Sequence, residues 1–290
     1  MEIFEVWPAL LFVAVGLLGL IVGSFLNVVA YRLPIMLERG WREQCAELSG
    51  QSAAAVGNDD RFDLWWPPST CPHCGQRIAA RHNIPILSYV WLRGRCAGCS
   101  GKIAARYPIV EGSAALLGLV VAYVFGPTWQ TVAALGFTWT VLALTLIDLD
   151  QKLLPDSMTL PLLWAGLLLA ALPATPVFVD LRSSVIGAGA GYLTLWAVYQ
   201  LFKLITGKEG MGYGDFKLLA AIGAWVGWQM LPLVILLSAA VGTVVGLGLI
   251  VFGGRSRHTP IPFGPYLAAA GWLALLFGER LTALYGALLL

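Results

Sequence analysis

The chain is 290 residues long, 58% hydrophobic and only 12% charged, with a mean hydropathy of +0.77. Soluble domains carry about 25% charge, so this composition excludes an ordinary soluble globular protein and points to a multi-pass membrane protein. A net charge of +2 gives no basis for nucleic-acid binding.

The first apolar run, Ala9 to Ala30, is too long for the core of a cleavable signal, and Glu2 and Glu5 stand where a signal peptide is basic. It is expected to be a retained first span. Eight apolar stretches are predicted to be membrane helices, at about 9–31, 108–125, 129–147, 157–172, 184–206, 216–230, 231–252 and 262–278. The fourth and sixth are short for a hydrocarbon core of ~30 Å, so they either stop partway or pack inside the bundle. The expected division is a first transmembrane helix over 1–31, a polar insertion over 32–107 and a helical core over 108–290. The fold class is therefore all-α and polytopic, with one small insertion.

Alternation assigns sides. With 32–107 in the cytoplasm, 16 of the 18 Lys and Arg fall inside, and only Arg182 and Arg280 fall outside. That is a strong positive-inside bias, and it puts the N-terminus on the periplasmic side. Trp129, Trp225 and Trp228 lie near span ends, where aromatic anchors are expected. Glycines four apart (Gly19 and Gly23, Gly187 and Gly191, Gly242 and Gly246) read as helix-packing positions.

The insertion holds Cys71-Pro72-His73-Cys74 and Cys96-Ala97-Gly98-Cys99, separated by 21 residues. Two C-x-x-C turns offer four thiolates in the tetrahedral arrangement that structural zinc takes. A closed thiolate shell would stabilise a small domain with little core of its own. The competing use of such a pair is redox chemistry. His73 is not expected to be a ligand, and Cys45 reads as a free thiol.

The third span ends in Ile147-Asp148-Leu149-Asp150, and Gly212-Tyr213-Gly214-Asp215 opens the sixth. Alternation brings Asp148 and Asp215 to the same membrane face, although 67 positions separate them. Carboxylates inside a membrane are costly and point to function. Two of them ~5 Å apart, at an effective dielectric of ~20, repel by roughly 3 kcal/mol, so one proton is shared. Such a pair can polarise a carbonyl while activating a water. A lone aspartate at a span end also serves as a helix cap, and residue chemistry alone leaves both readings open. Asp150, beyond the proposed span, and Asp156, an N-cap candidate for the next one, are the natural cases of the bland reading.

The chain resembles type IV prepilin peptidases nearly end to end. The resemblance runs through Gly23-Ser24-Phe25-Leu26-Asn27 with Arg32-Leu33-Pro34, the two cysteine pairs, and Ile147-Asp148-x-Asp150 with Leu154-Pro155-Asp156. It continues through Thr206 to Lys217 and Pro260 to Tyr266. It implies a membrane aspartyl protease of the bacterial inner membrane with Asp148 and Asp215 as the catalytic dyad. Its substrates would be type IV prepilins and type II secretion pseudopilins, and its surroundings membrane lipid. The leader would be cut after a glycine on the cytoplasmic side, and the new N-terminal residue methylated from S-adenosylmethionine. No glycine-rich dinucleotide fingerprint is present, so the methyl donor is implied by the family alone. Gly94, beside the second cysteine pair, is its candidate contact or positioning residue. Glu38, Glu43, Asp59 and Asp60 are candidates to attract a basic leader or simply a solvated surface. A proton-coupled transporter using Asp148, Asp215 and Glu111, and a zinc-based scaffold, are the rival readings.

Overall fold

The computed structural model describes residues 4, 6–50, 61–172, 177–251 and 261–289. Asp59, Asp60 and Pro260 lie outside them. Each of the eight apolar stretches is helical. In chain order the helices are α1 (Pro8–Leu48), the short α2 (Leu87–Trp91), α3 (Arg106–Phe125), α4 (Trp129–Gln151) and α5 (Asp156–Ala170). They continue with α6 (Leu181–Thr206), α7 (Tyr213–Val226), α8 (Leu231–Val251) and α9 (Gly264–Leu289). Among the described residues there is no strand, only two isolated bridges, Thr70 with Arg77 and Arg95 with Lys102.

Five of these helices are long and apolar enough to cross a membrane: α1, α3, α4, α6 and the stretch Trp228–Val251 containing α8. The 15-residue α5 and 14-residue α7 are the two stretches expected to be short. At 1.5 Å per residue they reach only ~22 Å. For α7 the reason is packing: from Asp215 to Val226 every residue but Lys217 is buried. It is enclosed by protein and has no lipid thickness to match.

The chain divides into two compact units, Met1–Pro127 and Thr128–Leu290. In the first, α1 lies against α3. A Cβ on Gly19 would come within 2.6 Å of the Ala115 backbone, and one on Gly23 within 2.6 Å of Glu111 Cα. Asn27 donates to the Tyr107 carbonyl at 3.3 Å, so it bonds a neighbouring helix, as polar residues in spans do. The helix does not stop at residue 31 but continues to Leu48, through Pro34. Proline costs the ladder one donor there.

In the second unit, α7 is packed against α5, α6 and α9. Gly187 of α6 and Gly223 of α7 meet backbone to backbone, and a Cβ on either would collide with the other's carbonyl. Gly191 fits the same way against Leu219, and Ser184 Oγ donates to the Ala224 carbonyl at 2.6 Å.

Trp225 departs from its expected place at an interface. It is buried, and its indole N–H donates to the Leu162 carbonyl at 2.8 Å. Gly166 leaves the space for the ring, since a Cβ there would lie 2.6 Å from Trp225 Cδ1. Trp129 and Trp228 are exposed.

Because Gly187 and Gly223 leave no room for a side chain where α6 crosses α7, Gly223→Val is expected to cost about 3 kcal/mol or more. Thermal unfolding of the detergent-solubilised protein checks this. An unchanged midpoint would refute the close backbone approach.

Candidate functional site

Asp148 sits in the last turn of α4. The helix ends four residues on, where Lys152 takes a left-handed conformation at φ 55° and donates its N–H to the Asp148 carbonyl at 2.9 Å. Leu153, Leu154 and Pro155 then turn the chain into α5. The Asp148 side chain stays buried, at 5% exposure. Its Oδ2 accepts the Gly264 N–H at 3.0 Å. Gly264 is the first residue of α9, so this donor is one of the orphan N–H groups at a helix start, where negative charge is favoured.

Asp215 is the third residue of α7 and is 8% exposed. Its backbone N–H bonds the carbonyl of Gly212, the N-cap, at 3.2 Å, and a Cβ on Gly212 would lie 3.8 Å from Asp215 Oδ2. The glycine before Asp215 and the glycine that donates to Asp148 share a neighbour. A Cβ on Gly214 would lie 2.7 Å from Leu154 Cβ, and one on Gly264 would lie 3.2 Å from Leu154 Cδ1. Leu154, in the turn just after Asp148, therefore fills the space that both glycines leave. The Cβ missing from Gly264 would also stand 2.6 Å from Asp148 Oδ2.

Asp156 is the N-cap candidate expected for α5. That place belongs to Pro155, and Asp156 is the first residue of α5. Its carboxylate holds Lys217 Nζ at 2.7 Å through both oxygens. The cation two residues beyond Asp215 is thus engaged by a carboxylate outside the pair. Lys203, in the last turn of α6, pairs at 2.9 Å with Glu209 in the loop leading to Gly212, and holds the Glu209 carboxyl below the usual carboxylate range. Asp150 is exposed at the end of α4. Neither the Gly264 donor nor the Lys217 partner carries a local sequence signal, because each depends on which helix ends meet.

In the first unit, Cys71, Cys74, Cys96 and Cys99 bring their four Sγ atoms within 4.8 Å of one another. Cys71 and Cys99 are 3.9 Å apart at sulfur. Four thiolates ~2.3 Å from a tetrahedral zinc lie about 3.8 Å from each other, so the cluster fits this ion.

The two turns repeat one pattern. Gly75 N–H bonds the Cys71 carbonyl and Ser100 N–H the Cys96 carbonyl, both at 2.9 Å. The residue after the second cysteine is left-handed in both, Gly75 at φ 70° and Ser100 at φ 59°. Backbone N–H groups of Cys99 and Gly98 pull the Cys96 thiol down to about 6, toward the thiolate a metal needs. His73 packs over Gly101 and is not one of the four.

Gly94 is left-handed at φ 67°. Its N–H bonds the Tyr89 carbonyl and its carbonyl accepts from Ile103, both at 2.8 Å. A Cβ would press on Tyr89 Oη at 3.0 Å. Glu111, buried, accepts the Ile86 N–H at 2.7 Å, fastening the 84–87 turn to α3. Cys45 is exposed and outside the cluster.

Removing one thiolate, as in Cys71→Ser or Cys96→Ser, is expected to lower both bound zinc and folded yield, because ~10 kcal/mol of metal binding is folding energy in such sites. Elemental analysis of the purified protein reads the result, and unchanged metal content contradicts it.

No solved structure matches the chain. Residues 17–125 match the Bacterial Peptidase A24 N-terminal domain and residues 134–247 the Type IV leader peptidase family. A "Prepilin leader peptidase/N-methyltransferase" of Aeromonas salmonicida (strain A449) is 54% identical over 98% of this chain and 97% of its own. That of Aeromonas hydrophila is 55% identical over the same shares, and that of Pseudomonas aeruginosa 50% identical over 93% of this chain and 91% of its own. The chain belongs to the type IV leader peptidase family.

Proposed function

We propose that this chain is a membrane aspartic endopeptidase that cleaves the basic leader from type IV prepilins and type II secretion pseudopilins. It then N-methylates the residue exposed. The observation that carries the peptidase half is that two buried acids stand beside one side chain: Gly264, which donates to Asp148, and Gly214, which precedes Asp215, both pack against Leu154. The transporter reading finds no support in the names of the relatives.

In this reading the dyad shares one proton. The protonated acid donates to the scissile carbonyl oxygen while the ionised one takes a proton from the attacking water. The Gly264 N–H occupies one oxygen of Asp148, which fixes the carboxylate plane and leaves its other oxygen to act. Asp156 keeps Lys217 from neutralising Asp215. No metal is called for at the peptide bond.

The positive-inside count supports a multi-pass inner-membrane protein with the N-terminus periplasmic and the cysteine insertion cytoplasmic. The functional division follows the same lines: 1–31 as the first membrane helix, 32–107 as the zinc-bearing insertion and 108–290 as the peptidase core. Zinc held by Cys71, Cys74, Cys96 and Cys99 is structural, since four thiolates leave no open position. S-adenosylmethionine would supply an electrophilic methyl group to the new N-terminal amine. The hydrogen bonds of Gly94 support a backbone-positioning role, in which it shapes the knuckle without contacting the donor.

A prepilin cleavage assay tests the dyad. Asp148→Asn and Asp215→Asn are each expected to lower cleavage by about 10²–10⁴-fold in folded protein, and full activity of either overturns the assignment. Gly264→Val, which pushes a side chain against Asp148, is expected to cost on the order of 100-fold through misplacement. Chelation that leaves the fold intact is expected to spare cleavage, and strong inhibition would refute a purely structural zinc.

A further inference from the structure

We propose that the zinc-bearing insertion is seated in the lipid interface, its aromatic and aliphatic side chains entering the leaflet and its arginines lying among anionic phospholipid headgroups. The inference needs only that α1 and α3 cross the membrane, and stands apart from the peptidase reading.

Depth comes from register. Gly19 faces Ala115, Gly23 faces Glu111 and Asn27 bonds at Tyr107, so α1 and α3 run antiparallel with matched levels. The insertion folds back onto those levels. Trp65 stacks on Phe25 with ring centroids 5.7 Å apart, and Phe25 lies two residues deeper than Asn27. Ile86 N–H bonds Glu111, five residues inside the start of α3. Five residues of helix rise ~7.5 Å, within the ~5–10 Å to which interfacial segments bury their apolar side. Two separated pieces of the insertion thus reach below the level at which α3 begins.

These same pieces carry apolar side chains that are mostly exposed. Trp65 is 78% exposed, Leu87 67%, Val90 66% and Trp91 70%. In water they would be a liability; at the membrane boundary tryptophan is favoured. Charge points to the same occupant. Residues 61–107 hold seven Lys and Arg against one acid, Asp63, in a chain whose net charge is only +2. Arg77, Arg81, Arg93, Arg95 and Lys102 are all exposed. A zinc tetrathiolate would subtract two charges and leave the segment basic. Basic residues beside exposed aromatics are what an anionic leaflet attracts.

The test uses the full chain in nanodiscs of phosphatidylcholine, with and without phosphatidylglycerol. Trp91 is replaced by the photocrosslinker p-benzoylphenylalanine and adducts are read by mass spectrometry. Trp41 serves as the control site. It lies nine residues beyond Arg32 on α1, ~13 Å further along the helix. Lipid adducts are expected at position 91 and not at 41, rising several-fold with phosphatidylglycerol. Arg77→Gln with Arg81→Gln is expected to remove that rise while zinc content stays unchanged. If this pair loses zinc, Lys102→Gln repeats the arm. Equal labelling at 91 and 41, adducts to a second copy or another protein in place of lipid, or indifference to phosphatidylglycerol would each overturn the proposal.

Discussion

A carboxylate buried at the end of a membrane helix has to be held by something, and here Asp148 is held by the start of another helix. The Gly264 N–H meets it where the first turn of α9 has donors to spare. Without that donor, the acid would carry its desolvation cost with a single neighbour of like charge. With it, three chain segments become fixed to one another: the end of α4, the start of α9 and, through Leu154, the start of α7. The glycines on either side of this junction are absences with a purpose. Gly214 and Gly264 each leave a hole, and one leucine fills both.

The second unit uses the same economy along its length. Short helices would fail as independent spans, yet α7 is almost wholly enclosed. Its first turn carries Asp215, and the rest of it is packing surface. The cation next along the helix is tied to Asp156, which leaves the electrostatics near Asp215 to its acidic counterpart. In the first unit a different solution applies. The cysteine turns bring four sulfurs together where the surrounding chain has few buried apolar residues, and a metal is what such a cluster suits.

Much of this was legible in the residues. Hydropathy located the starts of the eight helices to within three positions, because a lipid-facing stretch has to be apolar from its first turn, but the last helix runs on to Leu289 where an end at 278 was expected. Asp148 and Asp215 stood out because acids in such stretches are rare, and the C-x-x-C pairs because their spacing is set by turn geometry. What could not be read were contacts made by helix ends, such as Gly264 on Asp148 and Lys217 on Asp156. Position in the chain says nothing about which ends converge. The continuation of α1 to Leu48 was missed because hydropathy stops at the water boundary while helix propensity does not. Trp225 was misplaced for the complementary reason: a tryptophan near a span end suits an interface, unless a glycine such as Gly166 opens a slot for it.

The bare backbone contact of Gly187 with Gly223 has a consequence for aim as well as for packing. Asp215 sits eight residues before Gly223 on the same rigid rod, so the azimuth of the acid is set two turns away by a pair of hydrogen atoms. A methyl group added at that distant seam would turn the rod before it melted it. If Asp215 is catalytic as proposed, cleavage activity is therefore a finer gauge of the seam than any melting curve, and residues that never approach the substrate can still govern where its carboxyl points.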